Sequence, residues 1–137
     1  MNKNILFLCT GNSCRSQIAE GLAKEILKDI ANIRSAGIEA HGLNPDAVLT
    51  MLEIDIDISN QKSKVLTDDD IKWANYLITL CGDAKDRCPI LNAHKIHIHW
   101  DIKDPKKYRD NDKIDFFRKV RSQIKKHINH LRDQIEK

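Results

Sequence analysis

The chain has 137 residues, of which 41% are hydrophobic and 31% charged, and lysine plus arginine exceed aspartate plus glutamate by 23 − 20 = 3. This composition predicts a single domain spanning residues 1–137 and excludes a disordered chain, which combines low hydrophobicity with high net charge. The longest early apolar run, residues 5–9, is too short for a membrane span or a signal-peptide core. We therefore expect a cytoplasmic protein that does not associate with a membrane.

Four cysteines, Cys9, Cys14, Cys81 and Cys88, occur in a sequence that shows no secretion signal, which indicates a reducing compartment. We expect free thiols at rest, which leaves catalysis, metal binding and simple burial open as their roles. Residues 103–137 carry twelve Lys or Arg against six Asp or Glu. No nucleic-acid-binding motif accompanies this charge, so we interpret it as a solvated helix face and expect no nucleic-acid partner.

Strands and helices alternate along the chain. The apolar run 3–8 precedes a glycine-containing loop and predicts a buried strand, and apolar residues every four positions from Ile18 to Ile30 predict a helix. Further strands are predicted at 32–36, 75–81 and 95–100, and further helices after Asn44, after Thr67 and from Asp112 onward. Strands separated by helices favour a parallel sheet with right-handed crossovers. The predicted fold class is therefore α/β, with a four-stranded parallel sheet and helices on both faces.

Capping signals mark two of these helix starts. Asn44 followed by Pro45 is typical of an N-cap residue with proline at the first helical position. Thr67 with Asp70 three positions later fits a capping box in which aspartate replaces the usual glutamate or glutamine.

Three reactive groups that are distant in sequence follow predicted strands. In an open parallel sheet, ligands bind outside the carboxyl ends of the strands. Cys9 ends the first predicted strand, Cys81 ends the third, and Asp104 lies in the loop after the fourth. We therefore expect two thiols and a carboxylate at the same edge of the sheet.

Residues 9–16, between the first strand and the first helix, predict a binding site for a tetrahedral oxyanion, and we call this segment the anion loop. Its backbone N–H groups and the helix N-terminus can bind an anion, to which the Arg15 guanidinium can donate two hydrogen bonds. The same positive field should favour the thiolate of Cys9, with Ser16 as a donor to it. Gly11 and Asn12 tolerate the left-handed backbone that a tight loop requires. The predicted oxyanion-binding residues are Thr10, Gly11, Asn12, Ser13, Cys14, Arg15 and Ser16.

The anion loop and the later Asp104-Pro105 resemble the low-molecular-weight protein tyrosine phosphatases. The chain is more similar still to the thioredoxin-coupled arsenate reductases built on that fold, and the segment from Cys81 to Cys88-Pro89 is what separates reductase from phosphatase. The similarity covers nearly the whole chain and is carried by residues 8–16, 35–39, 41–45, 55–60, 79–81, 88–89 and 104–105. The resemblance implies a flavodoxin-like three-layer architecture and no cofactor.

The resemblance also implies a reaction, the reduction of arsenate to arsenite in arsenic detoxification, with phosphate and sulfate as competing anions. Cys9 attacks arsenate, Arg15 stabilises the charge, and Asp104 protonates the departing oxygen. Cys81 then attacks Cys9 as arsenite leaves, Cys88 attacks Cys81, and thioredoxin reduces the Cys81–Cys88 disulfide. We expect a monomer, because a closed anion site in a domain of this size needs no partner.

The spacing of Cys81 and Cys88 predicts a conformational change. Seven positions separate their Cα atoms by about 10 Å in a helix and about 23 Å in an extended chain, whereas a disulfide needs roughly 4.4–6.8 Å. We therefore expect residues 81–93 to bend or partly unwind when the disulfide forms, which would carry it to the surface.

Two other functions fit the same residues. A low-molecular-weight tyrosine phosphatase would hydrolyse phosphomonoesters through a cysteinyl-phosphate, without needing Cys81 or Cys88. An anion- or metal-binding module without turnover is the second alternative, since His94, His97 and His99 lie near these cysteines in sequence. The cysteine spacing is wider than zinc ligand pairs usually show, and His97 and His99 alternate with apolar residues. We therefore expect these histidines to face solvent or a helix, and expect no metal site.

Some members of the resembled family hold a potassium ion beside the anion loop through the equivalents of Asn12 and Glu20 and an aspartate. The position that matches the aspartate is Lys64 in this chain. We therefore expect the Lys64 ammonium to take the place of the cation near Asn12 and Glu20, and activity to be insensitive to K⁺.

Overall fold

A computed structural model describes residues 3–81, 96–103 and 110–136 of the chain. Its elements in chain order are β1 (Lys3–Cys9), α1 (Arg15–Ile26), β2 (Ala31–Gly37), α2 (Pro45–Leu52), α3 (Asp68–Trp73), β3 (Tyr76–Thr79), β4 (Ile96–His99) and α4 (Asp110–Glu136). The strands pair in parallel in the order β2-β1-β3-β4. This topology confirms the predicted α/β class and the four-stranded parallel sheet.

Strand β1 lies inside the sheet and carries the core. Its residues from Ile5 to Cys9 are all buried, and because successive strand residues point to opposite faces, both faces of β1 are covered. On one face the ring of Phe7 lies 5.8 Å from that of Trp100, which stacks on His127 of α4 at 4.8 Å. The carboxyl end of β1 is therefore held in the middle of the molecule, between β2 and β3.

Helix α4 confirms the amphipathic pattern at the end of the sequence. It begins at Asp110, two residues before the predicted start, and runs for 27 residues. Its buried side chains follow the expected spacing of three or four: Phe117, Val120, Ile124, Ile128 and Leu131. Within the described ranges, no helix combines the length and the apolar character needed to cross a membrane.

Both predicted caps are confirmed. Asn44 Oδ1 accepts hydrogen bonds from the N–H groups of Asp46 and Ala47, at 2.8 and 3.2 Å. The Asp70 N–H donates to Thr67 Oγ1, and the Thr67 N–H donates to the Asp70 carboxylate, both at 3.1 Å. Aspartate therefore completes the capping box at the start of α3, which brings the Asp70 carboxylate to a defined position.

Two strand predictions need correction. β3 ends at Thr79, so Cys81 lies two residues beyond the strand instead of at its last position. In β4, Ile96 is 47% exposed, although the alternation of the sequence places it on the apolar face. The reason is topological, because β4 is the outer strand of the sheet and has a neighbouring strand on one side only.

The end of α2 is joined to α4 by ion pairs around Glu53. Arg118 donates to both oxygens of the Glu53 carboxylate, from Nε at 3.0 Å and from Nη2 at 2.6 Å, and Arg121 Nη1 donates to it at 2.8 Å. These hydrogen bonds, first from Arg118 and then from Arg121, lower the pKa of Glu53 from 4.5 to about 2. The folded protein therefore favours the ionised form of this carboxylate.

Glu53 should contribute to the free energy of unfolding at neutral pH and lose that contribution in acid. Because its pKa is lower in the folded protein, the contribution is complete above pH 4.5 and is lost as the pH falls towards 2. We expect urea unfolding at pH 6 to show wild type more stable than Glu53→Gln, with the two free energies of unfolding converging near pH 2. Asp115→Asn removes a carboxylate joined to the same Arg118 by one hydrogen bond and should show a smaller difference. A wild-type advantage over Glu53→Gln that stays constant down to pH 2 would contradict this assignment.

Candidate active site

The anion loop is held from one side by the segment that follows β2. The N–H groups of Ile38, Glu39 and His41 donate to the carbonyl oxygens of Cys9, Thr10 and Gly11, at 3.1, 2.8 and 2.9 Å respectively. A trans peptide points its C=O and the following N–H in opposite directions. The N–H groups of residues 10–12 therefore point away from this segment, as an anion-binding loop requires.

Two glycines near the loop, Gly11 and Gly37, lie where there is little space for a side chain. A Cβ atom on Gly11 would lie 2.3 Å from His41 Nδ1, and one on Gly37 would lie 2.7 Å from the backbone N of Asn12. Asn12 has the left-handed backbone that the sequence led us to expect, with φ 47. Gly11 does not share that conformation, so a side chain there would meet the His41 ring and would not strain the backbone through a positive φ.

Cys9 and Ser16 face each other at the centre of the loop. Both are buried, and Cys9 Sγ lies 2.9 Å from Ser16 Oγ. Ser16 Oγ already accepts a hydrogen bond from Asn12 Nδ2 at 2.7 Å, which leaves the hydroxyl proton for the sulfur. A hydroxyl that donates to sulfur stabilises the thiolate, which is the nucleophilic form of cysteine.

Arg15 supplies positive charge at the other end of the loop. It is the first residue of α1, its side chain is largely buried, and its Nη1 donates to the carbonyl oxygen of Ile102 at 3.0 Å. Cys14, the N-cap residue, makes no side-chain capping hydrogen bond. Arg15 thus anchors its side chain to the segment after β4, and the N-terminal amides of α1 follow the loop directly, as an oxyanion site at a helix start requires.

A second thiol lies at the same edge of the sheet. The N–H of Leu80 donates to the carbonyl of Leu8 at 2.9 Å, which continues the β1–β3 pairing past the end of β3. Cys81 follows, and its Sγ lies 3.1 Å from Thr10 Oγ1 in the anion loop. Cys9 and Cys81 are both buried. The sulfurs of Cys9 and Cys81 therefore both lie at this edge, next to the anion loop.

The sequence as a whole matches known proteins. The family model for low molecular weight phosphotyrosine protein phosphatases matches residues 4–137. The chain belongs to this family. Among curated relatives, an arsenate reductase from Bacillus subtilis (strain 168) is 52% identical over 125 residues, which cover 90% of each chain.

Solved structures of the same fold include arsenate reductases. One described as an arsenate reductase in the phosphate binding state is 32% identical with a TM-score of 0.82, and the match covers 97% of this chain and 98% of that one. A thioredoxin-dependent arsenate reductase from Corynebacterium glutamicum is 28% identical with a TM-score of 0.81, covering 98% of this chain and 62% of the other. The phosphatase-like fold that the resemblance implied is thus confirmed.

Two residues expected in the site, Cys88 and Asp104, lie outside the described residues, as does His94. Their roles, and the expected bending of residues 81–93, stay predictions. Thr10, Ser13 and Cys14 lie in the anion loop, and their contribution to anion binding is likewise a prediction.

The Lys64 ammonium does not lie where the sequence led us to expect it. Lys64 Nζ lies 2.7 Å from Asp70 Oδ1, and the contact of Lys64 with Asn12 is made by its main-chain N–H, 2.9 Å from Asn12 Oδ1. The ammonium bonded to Glu20 is that of Lys24. The sequence therefore predicted the position of the Lys64 main chain. The position of its long side chain depends on which carboxylate the fold brings within reach of the ammonium.

Asp70 is that carboxylate, placed by the capping box at the start of α3. Burial acts to raise the pKa of Asp70, but the hydrogen bonds from Lys64 and Thr67 outweigh it, and the pKa lies below its ordinary value. Arg34 lies 3.3 Å from the same oxygen. Asp70 thus remains ionised and forms the ion pair with the Lys64 ammonium.

In the part of the chain that the structure describes, no three His, Cys, Asp or Glu side chains are grouped to hold a metal ion. His97 Nε2 and His99 Nδ1 both approach Thr79 Oγ1, at 3.3 and 2.8 Å. The two rings therefore lie against the neighbouring strand β3.

Sequence reasoning missed the polar side chains that support the loop from behind. Gln17 Nε2 donates to the carbonyl oxygens of Asn12 and Lys62, at 3.0 and 3.1 Å, and Ser35 Oγ accepts from Asn12 Nδ2 at 3.0 Å. Gln17 and Ser35 are both buried. Polar residues at buried positions of an amphipathic helix and an apolar strand are the signal that points to them, because buried polar groups need partners.

Proposed function

We propose that this chain reduces arsenate to arsenite with the thiols of Cys9, Cys81 and Cys88, and that thioredoxin regenerates it. One observation carries the proposal: Cys81 Sγ lies 3.1 Å from Thr10 Oγ1, in the residue that follows Cys9. Hydrolysis of a phosphomonoester needs a single nucleophilic sulfur, whereas reduction by thiols needs a second sulfur that can close a disulfide. The arsenate reductases among the relatives support the same substrate.

In the first step the Cys9 thiolate attacks the arsenic atom of arsenate bound in the anion loop. An S–As bond forms, and one oxygen of arsenate departs as water after protonation, so arsenic stays As(V). Arg15 and the N–H groups of the loop stabilise the negative charge of the oxyanion. We propose Asp104 as the source of the proton.

In the second step the Cys81 sulfur attacks the Cys9 sulfur. An S–S bond forms, the S–As bond breaks, and its electron pair passes to arsenic, which leaves as As(III) in arsenite. The two sulfurs together lose the two electrons that arsenic gains. Cys88 then attacks Cys81 and frees Cys9, and the dithiol of thioredoxin reduces the Cys81–Cys88 disulfide.

The deciding experiment follows the oxidation of reduced thioredoxin by arsenate, with thioredoxin reductase and NADPH as the readout. We expect NADPH consumption that requires this protein, arsenate and thioredoxin together, and that phosphate or sulfate inhibits by competing for the anion loop. Arsenite should appear in a one-to-one ratio with the NADPH consumed. Hydrolysis of p-nitrophenyl phosphate with no arsenate-dependent consumption would overturn the proposal.

Hydrolysis of phosphomonoesters is the second candidate function. The family match favours it, and so does the buried pair of Cys9 and Ser16, which serves a cysteinyl-phosphate as well as an arsenic adduct. In that case water takes the place of Cys81 in the second step. The two functions are distinguished by whether turnover requires Cys81.

A further inference from the structure

A carboxylate with no part in the chemistry proposed above lies behind the anion loop. Glu20 of α1 is mostly buried, and its Oε1 accepts a hydrogen bond from the Ser35 hydroxyl of β2. Its Oε2 lies 2.5 Å from Lys24 Nζ, one helical turn further along α1. A carboxylate in such a place costs free energy unless it is both paired and hydrogen-bonded, and Glu20 is both.

Hydrogen bonds lead from this carboxylate to the reactive sulfur. Because a carboxylate only accepts, Ser35 donates its one hydroxyl proton to Glu20 and can only accept from Asn12. Asn12 Nδ2 donates one proton to Ser35 Oγ at 3.0 Å and the other to Ser16 Oγ at 2.7 Å. Ser16 keeps its own proton for the Cys9 sulfur, 2.9 Å away.

The orientation of the Asn12 amide decides the last of these bonds. Asn12 has φ 47, and its Oδ1 accepts from the Lys64 N–H at 2.9 Å, so its two amide protons must go to Ser35 and Ser16. If Ser35 stopped accepting from Asn12, the amide would lose one of its anchors. Ser16 could then accept a proton from the Cys9 thiol instead of donating one, which would favour the unreactive thiol.

We propose that Glu20 and Lys24 form a positioning ion pair for the anion loop. Lys24 holds the Glu20 carboxylate in place, and Glu20, by accepting from Ser35, sets the direction of hydrogen bonding through Ser35 and Asn12 that leaves the Ser16 proton for the Cys9 sulfur. Neither Glu20 nor Lys24 touches the substrate. The inference rests on the proposed function where turnover is measured, and it stands without that function where the thiol itself is measured.

Lys64 provides a matched control for Lys24. The side chains of Lys24 and Lys64 are 51% and 42% exposed, and each ammonium is bonded to a carboxylate beside the anion loop, at 2.5 and 2.7 Å. Asp70, the partner of Lys64, keeps Arg34 at 3.3 Å when Lys64 is removed. In the described part of the chain, Lys24 is the cation within ion-pair distance of Glu20.

The test is the rate at which iodoacetamide modifies Cys9 as a function of pH, without arsenate and with the modified peptide identified by mass spectrometry. We expect Lys24→Met and Glu20→Gln to react about fivefold more slowly than wild type at pH 7, since each disturbs one charge-assisted hydrogen-bond chain. The half-maximal rate should be reached at higher pH, with the same maximal rate in alkali. Lys24→Arg, which keeps the charge, should restore most of the rate at pH 7.

Lys64→Met should match wild type within about twofold, because an exposed ion pair contributes little by itself. Wild-type pH profiles in both Lys24→Met and Glu20→Gln would overturn the proposal, as would equal slowing in Lys64→Met or no recovery in Lys24→Arg. Lys24 is half-exposed, so its variants should fold even if Glu20→Gln does not. In that case the comparison of Lys24→Met with Lys24→Arg decides the proposal.

Turnover separates this inference from the proposed function. If wild type reduces arsenate, Lys24→Met should lower kcat about fivefold and leave KM for arsenate unchanged, since its effect reaches the sulfur and not the loop amides. If wild type fails to reduce arsenate but the alkylation profiles shift as expected, the proposed function fails and the positioning role stands. A change in KM alone would overturn the positioning role.

Discussion

Cys9→Ser should abolish arsenate-dependent oxidation of thioredoxin, lowering kcat/KM by at least about a thousandfold. A serine hydroxyl is not ionised at neutral pH, and its oxygen cannot close the disulfide through which the two electrons leave. Cys9 is buried against Ser16 at 2.9 Å, so the substitution removes a reactive sulfur with little change in shape. NADPH consumption coupled through thioredoxin reductase measures the loss, and loss of p-nitrophenyl phosphate hydrolysis should accompany it.

Cys14→Ser is the control for that result. Cys14 is buried in the same loop, and its sulfur is directed to Ser13 Oγ at 3.9 Å. We expect this variant to keep at least about a tenth of the wild-type rate, since it changes a neighbour of the reacting sulfur. A Cys9→Ser protein that still turned over at more than about a hundredth of the wild-type rate would contradict the role of Cys9 as nucleophile.

Cys81→Ser should remove multiple-turnover arsenate reduction while leaving hydrolysis of p-nitrophenyl phosphate within about threefold of wild type. Without the Cys81 sulfur, no S–S bond forms between residues 81 and 9, so the S–As bond does not break with transfer of its electron pair to arsenic. Cys81 Sγ lies 3.1 Å from Thr10 Oγ1 in the wild-type protein. Serine puts a hydroxyl in the same place, so the loop should keep its shape. The same coupled assay, run beside the phosphatase assay, gives both rates.

The contrast between the two activities is what makes Cys81→Ser decisive. A general disturbance of the anion loop would lower hydrolysis and reduction together, because both begin with attack by Cys9. Alkylation of Cys9 by iodoacetamide should be unchanged in this variant. Arsenate turnover by Cys81→Ser near the wild-type rate would show that Cys81 is not the resolving thiol.

Local patterns explain why parts of this structure were predictable. The caps at Asn44 and at Thr67 with Asp70 depend on hydrogen bonds between residues two or three positions apart, and both are confirmed. The alternation of strands and helices predicts the parallel sheet. The same reasoning places Cys81 near the edge that carries Cys9, although β3 ends two residues earlier than predicted.

Long side chains were not predictable in the same way. The position of Lys64 predicts that its main chain lies beside Asn12, which the structure shows at 2.9 Å. Its ammonium instead pairs with Asp70, because α3 brings that carboxylate within reach. Gly11 is a similar case, since the group that a Cβ atom there would meet is the ring of His41, a residue 30 positions away that packs against it.

The sequence by itself determined the strand, loop and helix start around Cys9 and Arg15, because these segments are contiguous and interact through backbone geometry. Only the tertiary structure decided which side chains support that loop from behind. Ser35 of β2 donates to Glu20 of α1, and this contact depends on how the two elements pack, whereas Lys24 meets Glu20 within α1 itself. Side-chain pairing across separate elements follows distance in space, which the order of residues along the chain does not specify.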